Sequence, residues 1–409
     1  MNKNHLKTSF QLPCGTILKN RLVKSAMTER ISNKKLEPNE KHHQLYQKWA
    51  ETGAGLLITG NVMVDPVHRE SAGNVYVGSE NILPEMQAWA KVATQHETQV
   101  WVQISHAGRQ TSKFLTARPL APSEVQLHKM GLFGKPRAMS EEDIQAVIAG
   151  FIRTAKISQA AGFTGLQLHS AHGYLLSQFL SPITNRRTDK WGGTIENRSR
   201  LLRTIIEETR KVVGPAFPIS VKLNSSDFQR GGLTEEESLQ VIQMLEGKID
   251  LLEISGGTYE KLAFFEGGEN EADVKESTKQ REAYFIDFAT KVRAVSKLPL
   301  LITGGFRSFE FCNQVLEKNE LDLVGMARPF ITNLKEIRDF LDGKIPKLKD
   351  LVVKTGIKMV DDSAEGGYYA RQLIRIAEGK VLDPKIRPIQ SSFFFLYHEL
   401  KKSLQERMG

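Results

Sequence analysis

Between residues 20 and 345, eight short apolar runs recur, each followed by a segment with helical spacing. The runs are Leu22–Met27, Gly55–Thr59, Val100–Ile104, Gly165–Leu168, Pro218–Leu223, Leu251–Ile254, Pro299–Thr303 and Leu321–Met326. Each has the length of a strand, and most are rich in Val, Ile and Leu, as parallel strands buried on both faces are. The intervening stretches read as helices. After Ser140, Ile144, Val147, Ile148, Phe151 and Ile152 recur at i, i+3, i+4, i+7 and i+8 and share one face. Ser140 and Thr234 precede acidic helical starts, and Thr234 with Glu237 has capping-box spacing. Eight such units close most naturally into an α/β fold of the (β/α)8 TIM-barrel type, with an open doubly wound sheet as the alternative. Phe10–Asn20, with Pro13, Cys14 and Gly15 at a turn, reads as a short N-terminal hairpin. Residues 1–345 are thus expected to form the barrel, and 346–409 a C-terminal helical extension packed on it or at an interface. Within that tail Arg371–Glu378 and Phe393–Leu404 have helical patterns.

Composition narrows the function classes. At 40% hydrophobic residues the chain can bury a core, and no run approaches the ~18 apolar residues of a membrane span. MNKNHLKTSF has no apolar h-region, so a cytoplasmic protein is expected. Cys14 and Cys312 are the only cysteines, too few for a disulfide framework, a Cys-ligated zinc or an iron–sulfur cluster within one chain. The net charge is +9, of which +5 falls in the last 66 residues. A diffuse excess of this kind suits a solvated surface, and neither a nucleic acid nor a membrane is expected as partner.

Barrels of this type carry their chemistry at the C-terminal strand ends. Reading those positions gives Thr28, Gly60, Asn61, Gln103, His106, Arg109, His169, His172, Tyr174, Lys222, Gly256, Gly257, Gly304, Gly305 and Arg328. Gly304-Gly305 follows the seventh run and Ala327-Arg328 ends the eighth. Exposed backbone N–H groups beside a cation there suit a phosphate. The segment His169-Ser-Ala-His172-Gly-Tyr174 leaves the fourth run and has three readings. The histidines could ligate a metal together with His106, as in a metal-dependent hydrolase. They could be a structural pair. They could also be neutral donors to a carbonyl or phenolate oxygen, with Tyr174 as general acid, since a tyrosine of pKa about 10 keeps its proton at neutral pH.

The run Ser181-Pro-Ile-Thr-Asn185-Arg-Arg187-Thr-Asp189-Lys-Trp-Gly192-Gly193-Thr-Ile-Glu196-Asn197-Arg198-Ser-Arg200-Leu201 resembles the signature of the Old Yellow Enzyme family of FMN-dependent oxidoreductases. His169-x-x-His172-Gly-Tyr174, Gln103-Ile-Ser-His106-Ala-Gly-Arg109, Gly304-Gly305 and Gly325-Met-Ala-Arg328-Pro agree with it in order along the chain. The resemblance implies an FMN barrel that uses NADH or NADPH to reduce the activated C=C bond of α,β-unsaturated carbonyls or similar electron-poor alkenes. It further implies that Arg328 and the backbone of Gly304, Gly305 and Ala327 hold the FMN phosphate. Gln103 would meet the pyrimidine edge of the flavin, Lys222 its N1 and O2, and Thr28 would donate to O4. Gly60 and Asn61 would lie beside the ring. His169 and His172 would bind the substrate oxygen, and Tyr174 would protonate the α-carbon, with no metal required. Thr28 stands where one branch of the family has Cys, and Gly60-Asn61 replaces the usual small or acidic pair.

A flavin dehydrogenase or NAD(P)H oxidase passing electrons to a quinone or oxygen stays open within that class. Outside it, a flavin-binding scaffold whose tail is an interaction module stays open too. Asn185, Arg187, Asp189 and Arg198 read as residues that knit the loop after the fourth run together. The loops Thr111–Met139 and Thr258–Gln280 are expected at the entrance. The partner is a small molecule, and a homo-oligomer is compatible with the sequence.

Overall fold

A computed structural model describes residues 3–129, 131–256, 285–351, 353–356 and 358–407. All eight apolar runs contribute a strand, labelled β1 Leu22–Lys24, β2 Leu56–Met63, β3 Gln99–Ser105, β4 Gly165–Ser170, β5 Ile219–Asn224, β6 Leu251–Ser255, β7 Leu300–Thr303 and β8 Leu323–Met326. Each pairs in parallel with its sequence neighbours, and β1 pairs with both β8 and β2, which closes the barrel. Closure removes the sheet edges, so the open doubly wound alternative is excluded.

Two strand limits differ most from the sequence reading, by three and four residues. Pairing in β1 stops at Lys24, three residues before Met27. In contrast, β2 runs four residues beyond Thr59 and takes Gly60 and Asn61 with it. Its register to β3 shifts between Ile58 and Asn61, where the Thr59 hydroxyl accepts the Gln103 N–H at 2.9 Å. This irregularity resets the alternation of β2 side chains just before the site. Gly60 cannot be replaced there, because a Cβ would sit 2.4 Å from the Met27 carbonyl oxygen.

The crossover helices follow the expected signals. α1 spans Glu40–Ala50, α2 Leu83–Ala93, α3 Glu141–Ala160, α4 Arg200–Val213, α5 Glu235–Leu245, α6 Ile286–Val295, α7 Phe309–Glu317 and α8 Ile337–Leu341. Ser140 with Asp143 and Thr234 with Glu237 form capping boxes on α3 and α5. Ile144, Val147, Ile148 and Phe151 bury one face of α3, while α4 presents Leu201, Leu202, Ile205 and Ile206.

Phe10–Gln11 pairs antiparallel with Ile17–Leu18, and Gly15 takes the left-handed conformation in the turn. Leu12 and Leu18 pack on Val23, Leu56, Ile58, Trp101, Leu251, Leu301 and Leu323, so the hairpin seals the N-terminal mouth of the barrel. The opposite mouth is left for chemistry. After the barrel come two long helices, α9 Lys358–Ala377 and α10 Pro388–Arg407, each extending well past the expected segments. They lie against each other, with Gly367 allowing a close approach: a Cβ there would be 2.1 Å from the Ser391 carbonyl oxygen.

Candidate active site

β4 delivers His169 within a strand that is buried throughout, and His172 follows in the next turn with a left-handed φ of 58°. That conformation is uncommon outside glycine. It is held from both sides, because His172 N–H donates to Asn224 Oδ1 at 3.1 Å and its carbonyl accepts Gln110 Nε2 at 2.8 Å. Tyr174, 4% exposed, packs with Met63 and Ala107, its ring 4.6 Å from that of His169.

The tautomers follow from the partners. Asn61 Nδ2 donates to Glu70, so its Oδ1, 2.9 Å from His169 Nδ1, accepts a proton from that nitrogen. His169 Nε2 is then a lone pair, and His172 Nδ1 donates to it at 3.3 Å. His172 Nε2 in turn accepts from Ser255 Oγ at 2.8 Å. A directed chain therefore runs Ser255, His172, His169, Asn61, Glu70. Glu70 ends it as pure acceptor, also taking the Thr28 hydroxyl at 2.7 Å and pairing with Arg30 at 3.3 Å. The one proton of Thr28 is thus already committed to Glu70. Burial, followed by the field of Lys222, holds both histidines well below the usual imidazole pKa, so both are neutral.

Below the histidines the barrel interior is polar. Gln103 donates to Gln167 at 2.7 Å, and Gln167 donates to Glu253 at 2.8 Å. Glu253, fully buried on β6, pairs with Lys222 at 3.0 Å and accepts from Thr303 at 2.8 Å. The Lys222 cation is consequently compensated from within the barrel.

At the ends of β7 and β8, Gly304 and Gly305 take φ of 131° and 84°. Ala327 and Arg328 follow β8, and Arg328 bonds Glu365 of α9 at 2.7 Å. Burial opposes its charge, but Tyr369, Glu365 and Asp350 more than offset this and raise its pKa. A second guanidinium, Arg307, stands close enough to be affected by Arg328. Two arginines beside a pair of glycines in left-handed backbone fit an anionic group. With the neutral histidines and the Gln103–Lys222 network, this donor set fits FMN: cations at its phosphate end and polar groups along one strand wall.

The ligand set of the metal reading, His106 together with His169 and His172, is not assembled among the described residues. His106 does not join His169 and His172; its ring stacks on His68 at 5.2 Å, beside Asp65. His106 Nδ1 accepts the Gly108 N–H at 3.0 Å, and a ring nitrogen of His106 lies within 4.8 Å of ligand atoms of Asp65 and His68. The loop after β4 is knitted as its composition implies. Asn185 donates to the Phe179 and Trp191 carbonyls, Arg187 pairs with Asp189, and Arg198 reaches the Leu180 carbonyl and Glu237. Arg109 is buried and its N–H meets Gln178. Gly257 and the loop Thr258–Gln280 lie outside the described residues.

Glu70, Ser255, Gln167, Glu253 and Arg307 were not among the sequence candidates. For Glu253 the signal was available: a carboxylate inside the apolar run Leu251–Ile254 has to be paired. Glu70 lies in a loop, where an acidic residue carries no such signal.

Residues 10–338 match the NADH:flavin oxidoreductase / NADH oxidase family. The NADH-dependent flavin oxidoreductase iccE of Talaromyces variabilis is 35% identical over 353 residues, covering 80% of this chain and 84% of that protein. The NADH-dependent flavin oxidoreductase iliE of Neonectria sp. is 36% identical over 352 residues, covering 80% of this chain; there the chain spans only 46% of its relative's length. Among solved structures, the Old Yellow Enzyme homologue of Zymomonas mobilis superposes with a TM-score of 0.70 at 22% identity, over 85% of this chain and 95% of that one. With the match running from the N-terminal hairpin to the start of α8, the chain belongs to the NADH:flavin oxidoreductase / NADH oxidase family.

Proposed function

We propose that this protein uses bound FMN and NADH or NADPH to reduce the activated C=C bond of α,β-unsaturated carbonyls or similar electron-poor alkenes. The observation that carries this reading is the buried, neutral His169–His172 pair with Tyr174 against it, at the mouth that also holds the two-arginine anion site. FMN, when bound, supplies the two-electron carrier between nicotinamide and alkene.

The chain's residues supply the rest. Arg328 and Arg307 would neutralise the phosphate, beside the backbone of Gly304, Gly305 and Ala327. Gln103, Lys222, Gly60 and Asn61 would line the flavin wall. Thr28 donates its proton to Glu70 at 2.7 Å, so the O4 donation that the resemblance implies would require its hydroxyl to turn. His172 can redirect its Nδ1–H from His169 to a carbonyl oxygen, stabilising the enolate charge that develops as the β-carbon is reduced. Tyr174 holds the proton destined for the α-carbon.

A second reading, electron transfer to a quinone or to oxygen, is favoured by the oxidase half of the family's description. One experiment separates the two: anaerobic reduction by NADH and by NADPH, then reoxidation by enones, nitroalkenes and quinones. Fast reoxidation by enones supports the first reading, and fast reoxidation by quinones alone overturns it. Denaturation is expected to release FMN rather than FAD, and Arg328→Ala to weaken its retention.

A further inference from the structure

The C-terminal helix α10 has two unlike faces. Its inner face grips the catalytic mouth. Glu399 accepts the Ala72 N–H at 3.0 Å, Glu406 accepts the Gly73 N–H at 2.7 Å, and Ser403 bonds the Phe114 carbonyl at 3.0 Å. Its outer face carries Ile389, Phe393, Leu396, Tyr397, Leu400 and Leu404, all exposed, with Phe393 at 71% and Tyr397 at 63%. These positions follow a spacing of three and four residues and form one stripe along the whole helix. Helices of monomeric proteins turn such a stripe inward. This one is displayed outward on a helix whose other side is already anchored.

The stripe is also symmetric. Its midpoint falls between Leu396 and Tyr397. Phe393 and Leu400 lie equally far from that midpoint, and so do Ile389 and Leu404. We propose that α10 is a homodimer interface, packed antiparallel against α10 of a second copy about a two-fold axis through that midpoint. Phe393 of one copy then faces Leu400 of the other, Ile389 faces Leu404, and every apolar residue finds an apolar partner. An isologous contact demands this self-matching. A lipid surface or an unrelated protein does not, which is why a second copy is the favoured occupant. The size agrees. With full side-chain areas of about 150–250 Å² for the aromatics, the six residues expose roughly 600 Å² per copy, at the upper limit for a monomer's largest patch. Covering both copies buries on the order of 1,200 Å² before any rim is counted, which reaches the range of stable dimers.

The test uses the full-length, flavin-loaded protein. Sedimentation equilibrium at micromolar concentration should give twice the 46.0 kDa mass of the chain. The double variant Phe393→Glu/Leu400→Glu should run as a single chain with its flavin retained, its dimerisation weakened on the order of 100-fold or more. The register has its own readout. In a Cys14→Ser background, chains carrying Phe393→Cys should cross-link to chains carrying Leu400→Cys under mild oxidation, and not to one another. A single-chain mass for the parent protein overturns the proposal, and so does a dimer that survives the double variant. Binding of the parent to phosphatidylserine vesicles, lost in the double variant while the mass stays that of one chain, assigns the stripe to a membrane and overturns it too.

Discussion

Glu70 gives the histidine pair a direction. Because it only accepts, Asn61 must turn its amide N–H2 toward it and its oxygen toward His169, and the two imidazoles line up behind. His169 therefore has its proton committed to Asn61, whereas His172 needs only a small rotation to present Nδ1–H to a ligand. The two histidines should be unequal. His172→Ala is expected to lower alkene turnover about 10²–10³-fold, the usual loss for one preorganised donor to developing charge, and to weaken phenol binding more than His169→Ala does. The phenol charge-transfer band measures this directly, and equal losses contradict the direction of the chain. Glu70→Gln frees Asn61 to turn over and should bring the two variants' effects closer together. Tyr174→Phe acts on the other atom. Only alkene reduction needs its proton, so that half-reaction should slow about 10²–10⁴-fold while reduction by nicotinamide stays close to the parent rate. Rapid-mixing absorbance at the flavin band separates the halves, and nitroalkenes should be affected least because their nitronate product leaves unprotonated. Equal slowing of both halves would make Tyr174 a structural residue.

The elements differ in how far their sequences announced them. All eight strands were legible because a parallel barrel strand is buried on both faces and leaves a continuous apolar run, and α3 and α5 carry complete capping boxes. The limits of β1 and β2 were not legible, since both depend on cross-strand register: Asn61 pairs with Gln103 only after the shift past Ile58. The candidate site was half legible. His169, His172 and Tyr174 sit on one short segment with a readable motif, while Glu70 and Ser255 reach them from other loops and strands and acquire meaning only in three dimensions. The role of α10 was invisible for the same reason. It bonds backbone groups of the loops after β1, β2 and β3, through His398 to the Arg30 carbonyl at 3.1 Å, Glu399 to Ala72 and Ser403 to Phe114. Glu399→Ala removes a buried acceptor from the Ala72 N–H and an anion from Arg30, which is 3.4 Å away. Leaving the Ala72 N–H unsatisfied costs about 1–3 kcal/mol. The amides of Ala72 and Gly73 should therefore exchange with solvent faster in the variant, with those of β4 and β5 unchanged. Uniform acceleration across the barrel would mean that Glu399 supports the whole fold rather than this brace.

For the molecule as a whole, buried imidazoles set the response to acid. Burial is the leading cause in every case: it lowers His42 and His106 to about 3 and His398 to about 4, and takes His169 and His172 well below the ordinary value. These side chains are spread over α1, the loop after β3, the catalytic segment and α10, so the effect belongs to no single element. In the unfolded chain each regains a pKa near 6.5. As the pH falls from about 6.5 toward 4, the unfolded state takes up protons that the folded state refuses. Stability is therefore fully present above about 6.5 and is lost as the pH drops, by about 1.4 kcal/mol per pH unit for each imidazole that stays neutral. Toward alkaline pH the sign holds at first, because buried Lys24, lowered to about 7, is neutral in the fold while its unfolded counterpart stays charged to about 10.4. Above about 10 it reverses, since Tyr46 and Tyr369, the latter raised to about 12, keep protons that unfolded tyrosines release. The stability maximum should thus lie on the alkaline side of neutrality. Denaturant unfolding of the flavin-loaded protein between pH 4 and 10 measures it, and the steepest loss should fall between 6.5 and 4, with protons taken up on unfolding. A curve that is flat from pH 7 down to 5 would mean that the imidazoles find proton acceptors in the folded state, and would contradict the neutral histidine pair on which the site depends.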